Sequence, residues 1–304
     1  MVIDNKMILE QFKLRPANAL DAAQFVEIMN SQYARKKNQE YFYWQYINPP
    51  EPTVLMCAFQ GDQMCGMFGL KKRKLNNGVV IGQAIDMLIA PAWRKKGLFP
   101  ELARQAVQYF GKEFDVLSVL ANAAGNHAVV RSLGWRNAGI IKTFFLKNPQ
   151  SVTCRPDGTD AGDCAGKVRF QKDQDYRNWR FDKNPCYSYK AVSVENATAW
   201  VKVFIDPLTN LRYGDIVDFD IPCLEAMNFR NLFYAACEYL KLQKVEAITV
   251  WALPGGLLRN IAESFGFQET SQERYFCLKI ISPKCAYLDK FINWDLSEAD
   301  SEIY

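Results

Sequence analysis

The segment Met87-Leu-Ile-Ala-Pro-Ala-Trp-Arg-Lys-Lys-Gly-Leu-Phe99 decides how this chain is interpreted. An apolar, strand-like run ends at Ile89, and a helical pattern begins near Leu98. A loop in this place offers free backbone N–H groups and the positive end of a helix dipole, which suit a phosphate-like anion. Gly97 permits close approach of the backbone, and the basic residues 94–96 add positive charge. The segment therefore predicts an anion-binding turn; the alternative is a solvated basic loop that caps a helix.

Predicted helices and strands alternate on both sides of this loop. Apolar residues at helical spacing predict the helices, and β-rich runs bounded by Gly-Asp and Asn-Gly turns predict the strands. In chain order these are a helix over 19–33, strands over 53–59, 64–70 and 79–89, a helix over 100–110, a strand over 116–120, a helix over 126–133 and a strand over 140–146. This order predicts a mixed α/β unit of ordinary domain size.

The pattern then starts again. The motif Tyr41-x-x-Trp44-x-Tyr46-x-Asn48-Pro49 is echoed by Tyr176-x-x-Trp179-x-Phe181-x-x-Asn184-Pro185, and the strand at 116–120 and the Leu-Gly-Trp turn at 133–135 have echoes at a nearly constant offset. Self-similarity of this kind indicates a repeated fold, although any two α/β units share some strand–helix–strand turns. A chain of 304 residues also exceeds what one core usually fills. We therefore predict a first half over 1–150, a polar linker over 151–166 and a second half over 167–304.

Composition excludes several classes of protein. The net charge of +4 and the scattered basic residues argue against nucleic acid as a partner. No apolar run is long enough for membrane insertion, and the N-terminus does not resemble a signal peptide. With nine cysteines in no CxxC spacing and a single histidine, the sequence predicts reduced thiols, no metal site and a cytoplasmic location.

The segment over 87–99 resembles the coenzyme-A loop of the GNAT superfamily, Arg/Gln-x-x-Gly-x-Gly/Ala, preceded by a strand that ends in hydrophobic-x-Pro. Phe99 departs from the small residue at the last position. The resemblance implies an α/β fold with a mixed sheet, two GNAT-like halves of which the second is abbreviated, and acetyl-CoA or another acyl-CoA as acyl donor. The cofactor-binding residues that it implies are Met87, Ile89, Arg94, Lys95, Lys96, Gly97, Leu98, Phe99, Asn122 and Asn126.

The second half departs from this pattern. Glu225 stands at the arginine position of the loop and Asn228 at the glycine position. Because a carboxylate repels a diphosphate, we expect this half not to bind coenzyme A. Only a few residues separate its expected first strand, near Val168, from the Tyr176 motif, so the front helices are predicted to be missing. The acidic stretch 294–302 is predicted to be a disordered tail.

Acylation of an amine requires a group that removes its proton. The resemblance implies a carboxylate on the fourth strand, and Asp86 is the expected base, facing opposite to Met87 by strand alternation. A merely polar strand residue is the alternative, and Asp218 is the reserve in the second half. The resemblance implies a tyrosine as general acid at the position where this chain has Val130. Either another group or water protonates the thiolate, or the thiolate leaves unassisted.

The acceptor is predicted from a basic and aromatic stretch. Arg35, Lys36 and Lys37 precede Trp44 and Tyr46, and charge beside aromatic rings suits a nucleotide diphosphate; the alternative is a solvated helix end followed by core aromatics. The tandem arrangement resembles nucleotide-sugar N-acyltransferases of polysaccharide biosynthesis. It implies a nucleotide-linked amino sugar as substrate, such as a dTDP-linked 3- or 4-amino-dideoxyhexose. An aminoglycoside, a polyamine or a peptide amine remains an alternative, as does a non-catalytic coenzyme-A-binding regulator, and the oligomeric state stays open.

Overall fold

A computed structural model describes residues 9–151, 166–207, 209–221 and 226–301. Within these residues the strands form one open, mixed sheet of 11 strands, in the order β1-β2-β3-β4-β5-β11-β6-β10-β9-β8-β7. The strands are β1 (Lys13–Pro16), β2 (Thr53–Gln60), β3 (Gln63–Lys74), β4 (Val80–Ile89), β5 (Val116–Ala121), β6 (Arg136–Lys147), β7 (Tyr189–Val194), β8 (Ala197–Ile205), β9 (Arg212–Asp220), β10 (Ala247–Ala252) and β11 (Gln268–Ile280). The predicted mixed α/β fold class is confirmed.

The α-helices connect these strands much as the sequence predicts. They are α1 (Ala22–Gln32), α2 (Gln39–Phe42), α3 (Leu98–Tyr109), α4 (Ala123–Leu133), α5 (Gln174–Arg177), α6 (Ala226–Leu242) and α7 (Leu257–Ser264). Helix α4 begins earlier than predicted because the side chain of Asn122 accepts a hydrogen bond from the backbone of Gly125 and so caps the first turn. Helix α1 is preceded by a short 3-10 turn, Ala19–Asp21.

The two halves exchange their last strands. Strand β11, from the second half, pairs with β5 on one edge and with β6 on the other. Strand β6, from the first half, pairs in turn with β10. Each half is therefore completed by a strand of the other, and a single sheet runs through both.

The central parallel strands of each half separate from one another. Strands β4 and β5 pair only from Ile81–Gln83 to Val116–Ser118, although both continue beyond this point. The same holds for β9 and β10, which pair only as far as Ile216 and Val250. A gap therefore opens between β4 and β5, and backbone groups along it are available to a ligand.

A β-bulge lies at the edge of the first gap. The register of β3 and β4 shifts between Met67–Leu88 and Gly69–Ile85, which leaves two residues of β4 opposite one of β3. Asp86 lies in this bulge with a φ of 41°. A bulge redirects side chains locally and often lies beside a functional site.

The sheet of the first half is covered on both faces. On one face, here called the loop face, α3 and α4 pack on a cluster that includes Leu102, Val129 and Phe68. On the other, here called the carboxylate face, α1 and α2 contribute Phe25 and Phe42 to a separate cluster. The gap between β4 and β5 connects the two faces.

The repeated aromatic motifs meet at the centre of the molecule. Helices α2 and α5 each run into a π-helical segment, Tyr43–Ile47 and Asn178–Asp182. The indole of Trp44 donates to the carbonyl of Trp179 at 2.8 Å, and that of Trp179 donates to the carbonyl of Trp44 at 2.9 Å. The two rings stack with centroids 4.2 Å apart. This reciprocal contact joins the corresponding motifs of the two halves.

Among the residues that the structure describes, the second half begins without the first strand that the sequence predicts. Val168 does not begin a sheet strand, because it makes only an isolated bridge to Trp294. In the described part of this half, no helix precedes α5, as predicted. The predicted linker lies almost wholly outside the described residues.

The disordered acidic tail was a wrong prediction for residues 294–301. Trp294, Glu298 and Asp300 are each at most 1% exposed. Asp300 is held by two cations, the Nζ of Lys172 at 3.1 Å and the guanidinium of Arg73 at 3.7 Å. Buried carboxylates require such partners, and here both partners come from distant segments.

Candidate active site

The predicted anion-binding loop is built around a helix N-terminus. After the 3-10 turn Pro91–Trp93, Lys95 and Gly97 adopt positive φ angles of 62° and 77°. Gly97 is the N-cap of α3, and a Cβ added there would meet nothing within 4 Å. Among the described residues, no acceptor is found for the N–H groups of Gly97, Leu98 and Phe99. Free donors beside open space fit a diphosphate.

The basic side chains of the loop make different contacts. The guanidinium of Arg94 donates to the carbonyl of Ile89 at 3.0 Å and to the amide of Gln32 at 2.9 Å, so it ties the loop to the end of β4. Lys96 lies over the ring of Trp93, with its Nζ 4.4 Å from the centroid. Lys95 is exposed. Lys95 and Lys96 are therefore the cations placed to meet an anion.

Phe99, which departs from the small residue of the GNAT loop, points into the protein. Its ring packs edge-on against Phe68 at a centroid distance of 5.8 Å and joins the apolar cluster of the loop face. The large side chain thus anchors the first turn of α3, and the backbone N–H group of Phe99 still lies at the helix N-terminus.

The predicted contacts at the end of β5 lie at the mouth of the gap. Asn122 caps α4 through Gly125, with an Oδ1–N distance of 2.8 Å. A Cβ built on Gly125 would lie 3.7 Å from the Cε of Met87, so β4 and α4 approach each other here. Asn126 accepts a hydrogen bond from the thiol of Cys277 at 3.1 Å. The structure therefore brings Met87 close to the first turn of α4, which Asn122 caps and to which Asn126 belongs.

Asp86 lies on the carboxylate face of the same gap. Its Oδ2 accepts hydrogen bonds from the hydroxyls of Tyr46 at 2.7 Å and Tyr41 at 3.2 Å. The ammonium of Lys37 lies 3.8 Å from the centroid of the Tyr41 ring. Burial and the nearby Asp86 charge raise the pKa of Tyr33. Asp86 is thus a half-buried carboxylate that two hydroxyls orient, which is suitable for accepting a proton.

Sequence reasoning missed Tyr41 as a partner of Asp86. Tyr41 and Tyr46 are five residues apart, which on an ordinary α-helix places them on different faces. The chain passes into the π-helical segment 43–47, where hydrogen bonds span five residues, and so both hydroxyls reach one carboxylate. The clustering of aromatics at 41–46 was the only signal for this arrangement.

Asp218, the reserve base, has a different environment. It is 3% exposed and accepts an ion-paired hydrogen bond from Lys172 at 2.8 Å. Burial opposes the charge of Lys172, but Asp218 and Asp300 outweigh it and raise its pKa. Phe181 stands where the first half has Tyr46, so one orienting hydroxyl is missing. The structure therefore favours Asp86 over Asp218 as a base.

The second half's counterpart of the loop leads into α6. Glu225 lies outside the described residues, and the side chain of Asn228 is not described either, so their predicted effect on coenzyme A stays a prediction. Arg230 is only 3% exposed, and its guanidinium lies 5.7 Å from the ring centroid of Phe265. A buried arginine of this kind is not placed to meet a soluble diphosphate.

The five predicted acceptor residues separate into two groups. Lys37 and Tyr46 lie beside Asp86, as described above. Lys36 donates to the carbonyl of Asn30 at 2.6 Å and so closes the end of α1. Trp44 is 6% exposed and stacks on its counterpart in the second half, which leaves no ring face for a substrate base.

Arg35, the remaining acceptor candidate, contacts the second half. Its guanidinium lies 4.9 Å from the ring centroid of Phe204 and 3.6 Å from the carboxylate of Asp206. Both partners belong to β8 or to the turn that follows it. Arg35 therefore helps to hold the halves together.

Two general features of the described residues bear on the class of site. They contain no group of three or more His, Cys, Asp or Glu side chains that could hold a metal ion. No helix among them is long and apolar enough to cross a membrane.

Comparison with known proteins agrees with this geometry. Residues 22–135 match the Acetyltransferase (GNAT) family, whereas no curated protein matches the chain. Among solved structures, a tandem GNAT protein from the clavulanic acid biosynthesis pathway aligns with a TM-score of 0.55 and 12% identity over 88% of this chain and 98% of that one. A GCN5-related N-acetyltransferase from Anabaena variabilis aligns with a TM-score of 0.63 and 11% identity over 88% and 72%.

A third similar structure is a GCN5-related N-acetyltransferase from Kribbella flavida, with a TM-score of 0.62 and 9% identity over 92% of this chain and 73% of that one. At such identities the likeness establishes the fold only. The family match covers the segment that holds Asp86, the loop and α4. Residues 22–135 are therefore similar to the GNAT acetyltransferase family, and the solved structures share the fold of most of the chain.

Proposed function

We propose that this protein transfers an acyl group from an acyl-CoA to a primary amine. The observation that carries the proposal is the gap between β4 and β5. At its loop face lie the free N–H groups of 97–99, and at its carboxylate face lies Asp86 with its two tyrosines. A donor bound by its diphosphate at the first face can present a thioester to an amine at the second.

The chain's own groups supply the remaining chemistry. Acyl-CoA provides the activated carbonyl when it is bound. Lys95, Lys96 and the N-terminus of α3 hold its diphosphate by charge and by hydrogen bonds. Asp86 takes the proton that the amine loses as the new C–N bond forms, while Tyr41 and Tyr46 keep the carboxylate oriented.

The acceptor that we propose is the amine of a nucleotide-linked amino sugar, such as a dTDP-linked amino-dideoxyhexose. Lys37 supports this proposal because its ammonium lies against Tyr41, whose hydroxyl reaches Asp86. A cation on the Tyr41 ring can meet the acceptor's diphosphate while the sugar amine approaches Asp86. Lys36 and Trp44 contribute nothing to this argument, because both are engaged elsewhere.

The direct test is thiol release from acetyl-CoA in the presence of a panel of amines. The panel contains a nucleotide-linked amino sugar, the same sugar without its nucleotide, an aminoglycoside, a polyamine and a peptide amine. We expect the fastest release with the nucleotide-linked sugar. Equal rates with the free sugar would reject this acceptor class. If no amine causes thiol release but coenzyme A raises the thermal stability, the protein is better explained as a non-catalytic coenzyme-A-binding regulator.

Lys37 provides a second test of the acceptor. Charge-assisted contacts contribute about 1.5–3 kcal/mol, so Lys37→Ala should raise KM for the nucleotide-linked sugar about 10- to 100-fold and leave KM for acyl-CoA unchanged. Lys36→Ala is the matched control. It removes the same charge at the neighbouring position, where the ammonium caps the end of α1. Identical kinetics for the two variants would show that Lys37 does not meet the acceptor.

A further inference from the structure

The proposed reaction releases a thiolate, and a proton delivered to the sulfur promotes its departure. The position of that sulfur follows from the two faces of the gap. The amine approaches from Asp86 on the carboxylate face, and the diphosphate binds at the loop face. Because the sulfur joins the acyl carbonyl to the arm that leads to the diphosphate, it lies on the loop side of the gap. A proton donor must therefore lie on that face, beside the end of β5.

The exchanged strand brings Tyr275 to this place. Tyr275 pairs with Ala121, the last residue of β5, and residues paired across neighbouring strands project to the same face. It packs against the apolar cluster that also contains Met87. Two residues along β11, Cys277 contacts Asn126 of α4, which fixes the face to which both side chains point. A Cβ built on Gly125 would lie 3.1 Å from the Cβ of Ala121, so the end of β5 that Tyr275 borders lies against the first turn of α4.

A charged pair orients the hydroxyl of Tyr275. The hydroxyl donates to the Oε2 of Glu273 at 2.7 Å, and the Oε1 of Glu273 accepts from Lys142 at 2.5 Å. The hydrogen bond to Glu273 raises the pKa of Tyr275, so the phenol keeps its proton at neutral pH. Lys142 and Glu273 are 24% and 28% exposed, so water can reach this chain of groups.

We propose that Tyr275 is the proton donor to the leaving thiolate, supplied by the second half to the site of the first. The inference rests on the proposed acyl transfer. As the C–N bond forms and the C–S bond breaks, Asp86 receives the amine proton and the sulfur receives the phenol proton. Water at Glu273 then returns a proton to the phenolate, and Asp86 releases the amine proton to solvent, so that no net proton is gained or lost by the protein.

The kinetic test is Tyr275→Phe, which keeps the ring and its packing. Loss of a general acid typically costs about 10²–10⁴-fold, so kcat should fall about 10²-fold or more while KM for acyl-CoA stays unchanged. In the wild type, kcat should also fall at alkaline pH as the tyrosine ionises, and this decline should be absent in the variant. Tyr109→Phe, on the exposed side of α3, is the matched control. An unchanged kcat for Tyr275→Phe would overturn the proposal.

A binding measurement tests the sulfur contact without any amine. A net hydrogen bond corresponds to about a 2- to 10-fold change in affinity. Calorimetry should therefore show tighter binding of coenzyme A than of desulfo-coenzyme A in the wild type, and equal binding in Tyr275→Phe. Equal affinities in the wild type would reject the role of Tyr275 even if acyl transfer is confirmed. A difference that Tyr275→Phe abolishes, without thiol release from any amine, would uphold the contact and reject the acyl transfer.

Discussion

Asp86 and Asp218 occupy corresponding places in the two halves, and their surroundings differ in kind. Asp86 is half-buried and accepts from two neutral hydroxyls. Asp218 is buried and accepts from the ammonium of Lys172. The ion pair engages Asp218 with a buried cation, whereas the two hydroxyls orient Asp86 through neutral donors. The carboxylate recurs in both halves, whereas the groups that surround it do not.

The gaps beside these carboxylates differ as well. In the second half, a cavity of ≈ 240 Å³ lies between the ends of β9 and β10. The chain's own C-terminal segment forms part of its wall, through Leu296, Ser297 and Asp300. On the carboxylate face of the first half, Cys186 from the second half packs against the cluster that contains Tyr41 and Tyr46. The second gap is thus partly filled from within, which suits a structural role.

The largest expected effect is a difference in kcat between variants of the two carboxylates. Asp86→Asn should lower kcat about 10²–10⁴-fold, because a general base typically contributes that much, and affinity for acyl-CoA should change little. Asp218→Asn is the matched control and should retain turnover within about a factor of two. Steady-state thiol release from both purified variants gives the answer. Comparable losses in the two would mean that the halves do not differ in the way proposed.

The next effect concerns the ion pair that distinguishes the second half. Lys172→Ala leaves Asp218 and Asp300 buried without their shared cation, and breaking a buried pair costs about 3–5 kcal/mol. Denaturant unfolding should show this loss. Lys183→Ala, an exposed lysine of the same half, should be neutral. If Asp218→Asn and Asp300→Asn fail to restore stability in the Lys172→Ala background, the carboxylates are not the source of the loss.

The number of coenzyme-A molecules bound per chain should show that only the first half has a working coenzyme-A loop. Calorimetry is expected to give one coenzyme-A site per chain, and two equal sites would contradict the proposed division. Gly97→Asp places a carboxylate where the diphosphate is expected and should weaken binding about 10- to 100-fold, the loss of one charge-assisted contact. Gly111→Asp is the control, because Gly111 also has a positive φ and open space but lies at the far end of α3.

The sequence predicted local elements well because each depends on nearby residues. The loop at 91–97, the helix after it and the missing front helices all follow from short-range patterns. The strand exchange does not. The apolar pattern of β6 fits equally well beside β5 or β10, so no local feature selects its neighbour.

The candidate site could be predicted only in part, because some of its residues are brought together by contacts between distant segments. Asp86 and the loop were recognised from their own segment, but Tyr41 required the π-helical spacing and Tyr275 required the strand exchange. The acidic stretch 294–301 was expected to be solvated because its partners, Arg73 and Lys172, are distant in sequence. Contacts of that range decide burial and cannot be predicted from composition.

The smallest expected effect concerns the front of the first half, which the second half lacks. Asp21 accepts two hydrogen bonds from Arg15, at 2.7 and 2.8 Å, and a third from the backbone of Asn18. The hydrogen bond from Arg15 lowers the pKa of Asp21 below its usual value of 3.8. A carboxyl whose pKa is lowered by folding stabilises the protein above the unfolded-state pKa, and this contribution is lost as the pH falls through the folded-state pKa.

Asp21→Asn should therefore lower the free energy of unfolding by about 1 kcal/mol at pH 7, within the range for a hydrogen bond to a charged group at a partly exposed pair. The difference from the wild type should persist down to about pH 5 and shrink below about pH 4. Asp173→Asn, at the N-cap of α5, is the corresponding change in the second half. Since asparagine caps a helix about as well as aspartate, it should change stability by only a few tenths of a kcal/mol, with little dependence on pH. Denaturant titrations of the three proteins across this pH range measure both effects. A difference for Asp21→Asn that stays constant down to pH 3 would show that the ionised carboxylate is not what holds the front of the first half.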